Sequence, residues 1–269
     1  MTSGDGVTPA GRASEHAFFV VAALFFAASV TTTIVWCVSM SAMDGMPMPG
    51  GWTMSMMWMR MPGQAWHEAA MSFLVMWTVM MVAMMLPSLL PMLRRYRQAI
   101  GSNGGVRLDR LTMLVGAGYF TPWVVFGLAV FPVGTILADV TMRADGVARA
   151  VPIAAGVIVL IAGAAQFTRW KARHLACCRE EPGSRTIAAD GATAVRHGLR
   201  LGLHCAGCCA NLMAILLVLG MMDLFAMAMV TAGITLERLA PDGARAARAI
   251  GIVTIGAGLL LIARAAGWG

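Results

Sequence analysis

Charge is scarce in this chain. Asp, Glu, Lys and Arg make up 12% of its 269 residues, about half the usual share of a soluble domain. So few charges cannot cover a water-facing surface, which excludes a soluble globular enzyme. The 59% hydrophobic content excludes a disordered chain. Several catalytic signatures are also missing. The sequence has no Gly-rich phosphate loop, no Gly-x-Ser-x-Gly, no His-Glu-x-x-His and no pair of core His for haem. No Lys/Arg run alternates with aromatics in a way that could stack bases, so nucleic acid is set aside as a partner. The net charge of +7 reads instead as the loop charge of a membrane protein.

What fills the chain is long apolar runs. They cover 17–40, 69–93, 111–138 (broken by Pro122 and Pro132), 150–168, 204–236 and 249–266. Each is long enough to span a bilayer at about 20 residues per pass. The fold class expected is therefore all-α, a polytopic membrane helix bundle of about six transmembrane helices. The first run is too long for a signal-peptide core and reads as a retained signal anchor. Residues 1–16 read as a short disordered tail, and 17–269 as one transmembrane bundle. Residues 41–66 hold Gly, Pro, Met, Trp and only two charges, which predicts a non-spanning loop. Residues 169–203 are a basic, Cys-containing loop. An even number of passes puts both termini on one side. That side collects 14 of the 20 Lys and Arg, the other 6. The positive-inside rule then makes both termini and the 169–203 loop cytoplasmic, in an inner membrane, with 41–66 outside.

Sulfur is the second excess, with 24 Met and 6 Cys. His204-Cys205-Ala206-Gly207-Cys208-Cys209 opens the fifth run. Thiolates are soft ligands that suit Cu(I), zinc or iron–sulfur. Cys205 and Cys208 have the spacing that lets two sulfurs meet one ion, and Cys205 and Cys209 share a helix face. His174, Cys177 and Cys178 follow the fourth run on the same side. A cytosolic location argues for metal or redox use of these thiols over structural disulfides. Nine Met fall between Met40 and Met61, in spacings that packing alone explains poorly, and thioethers bind Cu(I). Met76, Met80 and Met84 recur at i+4 in the second run, with Met81 and Met85 beside them. His67 and Met71 sit at its outer end, and Pro87 and Pro91 near its inner end. Such a stripe is either a thioether ladder or ordinary core packing.

The fifth run also contains acid. On one uninterrupted helix, Asp223 lies 14 residues from both Cys209 and Glu237, about 21 Å in each direction. That predicts a carboxylate near the bilayer centre, where acids usually mark a pathway. Cys205, Cys209, Asp223, Met227 and Glu237 would then share one face.

Four motifs together resemble a bacterial family of predicted metal-binding integral membrane proteins, the domain of unknown function 2182. They are MMVAMMLPSLLP, Thr168-x-x-Lys171 with the Cys-Arg after it, GLHCAGCC, and GMMDL followed by Leu-Glu-Arg-Leu-Ala-Pro. The family pattern has two Cys after the fourth run. Here His174 and Cys178 match them, a swap between two kinds of metal ligand. The resemblance implies metal binding and no particular activity.

These residues predict an integral membrane protein handling copper as Cu(I), by transport or by delivery, with zinc as the second choice. Copper would run from the Met-rich loop past His67, Met71, Met76, Met80, Met84 and Met85, with Asp223, Met227 and Glu237 along the way. It would end on His174, Cys177, Cys178, His204, Cys205, Cys208 and Cys209. The partners expected are the bilayer, the ion and a copper-carrying or copper-receiving protein. A metal transporter or metallochaperone is favoured over an enzyme. The competing class is a membrane thiol–disulfide enzyme using the same cysteines.

Overall fold

The computed structural model describes residues 9–42, 45–59, 63–101, 105–179 and 190–267. Eight helices occupy nearly all of them: α1 (Pro9–Ser41), α2 (Trp66–Ile100), α3 (Gly105–Arg143), α4 (Asp145–Ala165), α5 (Arg169–Arg179), α6 (Gly191–Leu219), α7 (Leu224–Leu239) and α8 (Gly243–Ala265). The protein is an all-α bundle. Six of the helices, all but α5 and α7, are long and apolar enough to cross a membrane, as a multi-pass membrane protein requires.

Several expected boundaries move. Helix α1 begins at Pro9, inside the segment read as a tail. Pro122 and Pro132 do not break α3, nor do Pro87 and Pro91 break α2. A helix packed among neighbours tolerates the lost N–H and bends around the ring. Of the 169–203 loop, the described parts are helical, as α5 and the first turns of α6. Asp190 caps α6, and its carboxyl is held below the ordinary carboxylate range by hydrogen bonds from the backbone and hydroxyl of Thr193.

The described parts of 41–66 are also more ordered than a loop. Strands β1 (Met46–Met48) and β2 (Trp52–Met54) form an antiparallel hairpin, followed by a 3-10 turn at Met56–Trp58. Met43 and Met61 lie outside the described residues. Met48 and Met54 are buried against Ala138 and Ala148, and the Trp52 indole donates to the Ala148 carbonyl at 2.9 Å. Two of the loop's methionines thus pack the hairpin onto the α3–α4 corner. Below it, Trp58, Phe73, Trp77 and Phe131 form an aromatic layer.

Glycines set how closely the helices approach. A Cβ at Gly198 of α6 would lie 2.1 Å from the Val115 carbonyl oxygen of α3. Gly156 and Gly163 of α4 meet Gly258 and Gly251 of α8 in the same way. Apolar side chains gain little by leaving lipid for one another, so close backbone approach supplies the packing.

The largest departure from expectation is in the fifth apolar run. It is two helices. Helix α6 ends at Gly220, whose φ of +119° suits glycine, and Asp223 caps α7 by accepting from the Ala226 N–H at 2.9 Å. Helix α7 then runs back along α6. Asp223 is therefore exposed at a turn and does not sit mid-span. Glu237 returns to the level of the cysteines and does not mark the outer end. The shared helix face expected from Cys205 to Glu237 does not exist.

The reversal also separates the start of α1 from the end of α8. Glu15 at the start of α1 pairs with Arg94 near the end of α2. Helix α8 runs opposite to α4, with Gly251 against Gly163 and Gly258 against Gly156. Following the helices through the α6–α7 turn, α1 begins at one end of the bundle and α8 finishes at the other. Termini on a single side, expected from six passes, do not follow once α7 is included.

Candidate metal centre

Sulfur and charge gather where α2, α3, α5, α6 and α7 meet. Cys205, Cys208 and Cys209 are fully buried. Their spacing on one helix sets the geometry. Cys205 Sγ lies 3.8 Å from Cys209 Sγ, and Cys208 Sγ lies 3.9 Å from Cys209 Sγ. Met85 of α2 closes the line, with its Sδ 4.0 Å from Cys205 Sγ. Metal–sulfur bonds of about 2.3 Å place neighbouring sulfurs on one ion about 3.8–4.0 Å apart. Each of these contacts matches that separation. Among the described residues, no three His, Cys, Asp or Glu groups converge as a ready-made metal site. The Met85 thioether is the further sulfur beside the thiols, and a thiol–thioether donor set suits a soft ion.

Cys205 is also the focus of a polar cage. The Tyr119 hydroxyl donates to its sulfur at 2.9 Å, and Arg238 Nη1 donates to it at 3.1 Å. The same guanidinium reaches Ser88 Oγ at 2.9 Å, Tyr119 Oη at 3.3 Å and Met92 Sδ at 3.2 Å. Arg238 is buried, at 5% exposure. Its charge acts through a dry medium, where it stabilises an adjacent thiolate strongly.

A second buried charge pair backs the cysteine helix. Lys171 Nζ donates to Glu237 Oε2 and to the Cys208 carbonyl, both at 2.6 Å, and to Asn211 Oδ1 at 3.4 Å. Gln166 Nε2 donates to the other Glu237 oxygen at 2.7 Å. Gln166 caps the end of α4. Cys208 is thus level with the end of a 21-residue span, near one edge of the apolar slab. A cavity of about 380 Å³ opens beside Lys171, between the end of α4, α5 and the start of α8.

The other expected residues fall into three groups. His174 and His204 come together above the cysteines, with ring centroids 6.0 Å apart. A Cβ at Gly207 would lie 2.8 Å from His174 Nδ1, so only glycine lets the imidazole settle on the helix. Met80 and Met84 are buried in α2, Met76 is half-buried, and Met227 faces the core from α7. Cys177, His67 and Met71 are exposed and make no part of the cluster, and the Cys178 side chain lies outside the described residues. Counting at i+4 picks Met76, Met80 and Met84, yet Met85 is the thioether that touches a thiol.

Four residues of the site escape a search for ligand types: Tyr119, Ser88, Lys171 and Arg238. For Arg238 the signal is charge in apolar surroundings, Leu236-Glu237-Arg238-Leu239, which is costly unless paired. One further sulfur contact lies near the hairpin end, where the Cys37 thiol meets Met222 Sδ at 3.8 Å.

A family model of copper chaperones, PpoB2, matches residues 74–261. The chain belongs to this family. The match takes in the cysteine helix, Met85, Lys171, Glu237 and Arg238, and it begins after the Met-rich hairpin. No curated protein and no solved structure matches the chain.

Proposed function

We propose that the protein binds Cu(I) as cargo within the membrane and passes it between the hairpin end and the cysteine end of the bundle. The carrying observation is the buried line Met85–Cys205–Cys209–Cys208, with each step between 3.8 and 4.0 Å. Cys205, Cys209 and Met85 form the holding site, with Cys208 as its neighbour. His174 and His204, half-buried above it, offer the ligands of a transfer step to a copper-carrying or copper-receiving protein. Met80, Met84 and Met227 line the approach, and the hairpin methionines collect the ion. Zinc is the second choice, and the resemblance to domain of unknown function 2182 supports metal binding in general.

Delivery is favoured over free transport. The aromatic layer of Trp58, Phe73, Trp77 and Phe131 fills the space between hairpin and cysteines, so an ion moves only when side chains yield. A thiol–disulfide role has less support. All three clustered thiols are fully buried, whereas exchange needs access for an attacking thiolate.

Orientation follows from charge. Helix α7 carries Arg238, Arg245 and Arg248 to the basic end of the bundle, and the reversal carries Arg264 away. The asymmetry of 14 against 6 becomes 16 against 4. The cysteine end then lies in the cytoplasm of an inner-membrane protein, with the N-terminus inside and the C-terminus outside.

The test is metal content after anaerobic purification in detergent and loading with Cu(I). Wild type is expected to hold about one copper per chain, and a Cys205→Ser/Cys209→Ser variant to lose it. A copper load unchanged in that variant would overturn the assignment.

A further inference from the structure

We infer that Arg238 makes the site selective for monovalent soft ions, by balancing the charge of the complex. This rests on the copper reading above and adds the residue that sets which ion is held. The guanidinium touches the proposed ligand Cys205 at 3.1 Å and is locked in place by Ser88, Tyr119 and Met92.

The charges add simply. When Cu(I) binds Cys205 and Cys209, both thiols lose their protons to the medium. One positive ion and two thiolates leave a complex of net charge −1, and the Met85 thioether adds nothing. The guanidinium, 3.1 Å from the Cys205 sulfur, attracts that charge at contact distance. A divalent ion on the same two thiolates gives a neutral complex, which gains no attraction from Arg238. In a buried site the difference between those two states is large, because burial leaves little water to screen it. Softness alone does not separate Cu(I) from zinc at thiolates. A fixed cation does, through charge.

The argument makes Ag(I) follow Cu(I), since the two share charge and softness, and makes Zn(II) and Cd(II) diverge from both. The experiment is metal competition on full-length protein in detergent, using Cu(I), Ag(I), Zn(II) and Cd(II) against chromophoric chelators. Wild type, Arg238→Gln and Arg238→Lys are compared. In Arg238→Gln, affinity for both monovalent ions is expected to fall, with the Cu(I)/Zn(II) affinity ratio dropping at least about tenfold. Arg238→Lys keeps the charge but loses the planar fork. It is expected to recover most of the ratio.

Two results would overturn the inference: an unchanged ratio in Arg238→Gln, or an equal loss for all four ions, which marks a structural role only. A wild-type protein that binds none of them defeats the copper reading itself, a different and separable failure.

Discussion

The buried pair Lys171–Glu237 gives the sharpest stability test. Its Nζ–Oε2 distance is 2.6 Å, and the two side chains are 1% and 0% exposed. Removing one member takes from the other its partner of opposite charge in a buried site. Glu237→Leu strands an ammonium that keeps only the Cys208 carbonyl and Asn211. Lys171→Met takes the ammonium from a carboxylate that Gln166 also holds. Each single change is expected to cost about 3–5 kcal/mol. Replacing both removes the two desolvation penalties together. What remains unpaired are the Gln166 and Asn211 amides, at about 1–3 kcal/mol for a polar group left buried. Lys171→Met/Glu237→Leu should therefore cost less than either single variant, or about the same. Independent effects would instead sum to about 6–10 kcal/mol. The assay is unfolding in detergent followed by far-UV circular dichroism, on all four members of the cycle. Additive losses would refute the reasoning, because they would mean that the two charges are not a unit.

Other outcomes test other parts of the fold. Gly198→Ala forces a methyl to within 2.1 Å of the Val115 carbonyl and should lower the melting temperature and the copper load together. Gly116→Ala, which meets nothing within 4 Å, should be neutral or stabilising by up to about 1 kcal/mol. Asp223→Ala should cost about 0.5–2 kcal/mol by uncapping α7, Asp223→Ser should restore most of that, and both should still bind Cu(I). Loss of binding in the serine variant would return Asp223 to the ion path. In a Cys178→Ser background, a membrane-impermeant maleimide should label Cys177 from the cytoplasmic side of oriented vesicles. Labelling from the other side would reverse the proposed orientation.

Much of this architecture can be read from residues, because a bilayer imposes long apolar runs and those runs are plain in the chain. The sulfur cluster is legible for a similar reason: four residues of one hexapeptide carry ligand atoms. What hydropathy hides is the direction of the backbone. Across Leu219-Gly220-Met221-Met222-Asp223-Leu224 the apolar average barely dips, so the run reads as one helix with a buried acid. The local chemistry reads otherwise. A glycine followed three residues later by an aspartate, and then by Leu-Phe-Ala, is a helix stop and a new N-cap. Hydropathy weighs Asp223 as a cost, whereas capping makes the same carboxylate a helix start.

That one reversal decides the chemistry of the site. On a straight helix Arg238 would stand about 50 Å from Cys205, 33 residues along the axis. The turn at Gly220 brings its guanidinium to 3.1 Å from the sulfur and brings Glu237 to Lys171. Met85 is a parallel case. Its residue type is legible, but the rotation of α2 against α6 is fixed by close packing across several helices, and no spacing rule on α2 alone recovers it. The ligands could be listed from the sequence. The cation beside them required the fold. On the proposed reading, a thiolate cluster without Arg238 would accept any soft ion that fits, and the hairpin of α6 and α7 adds charge to its choice.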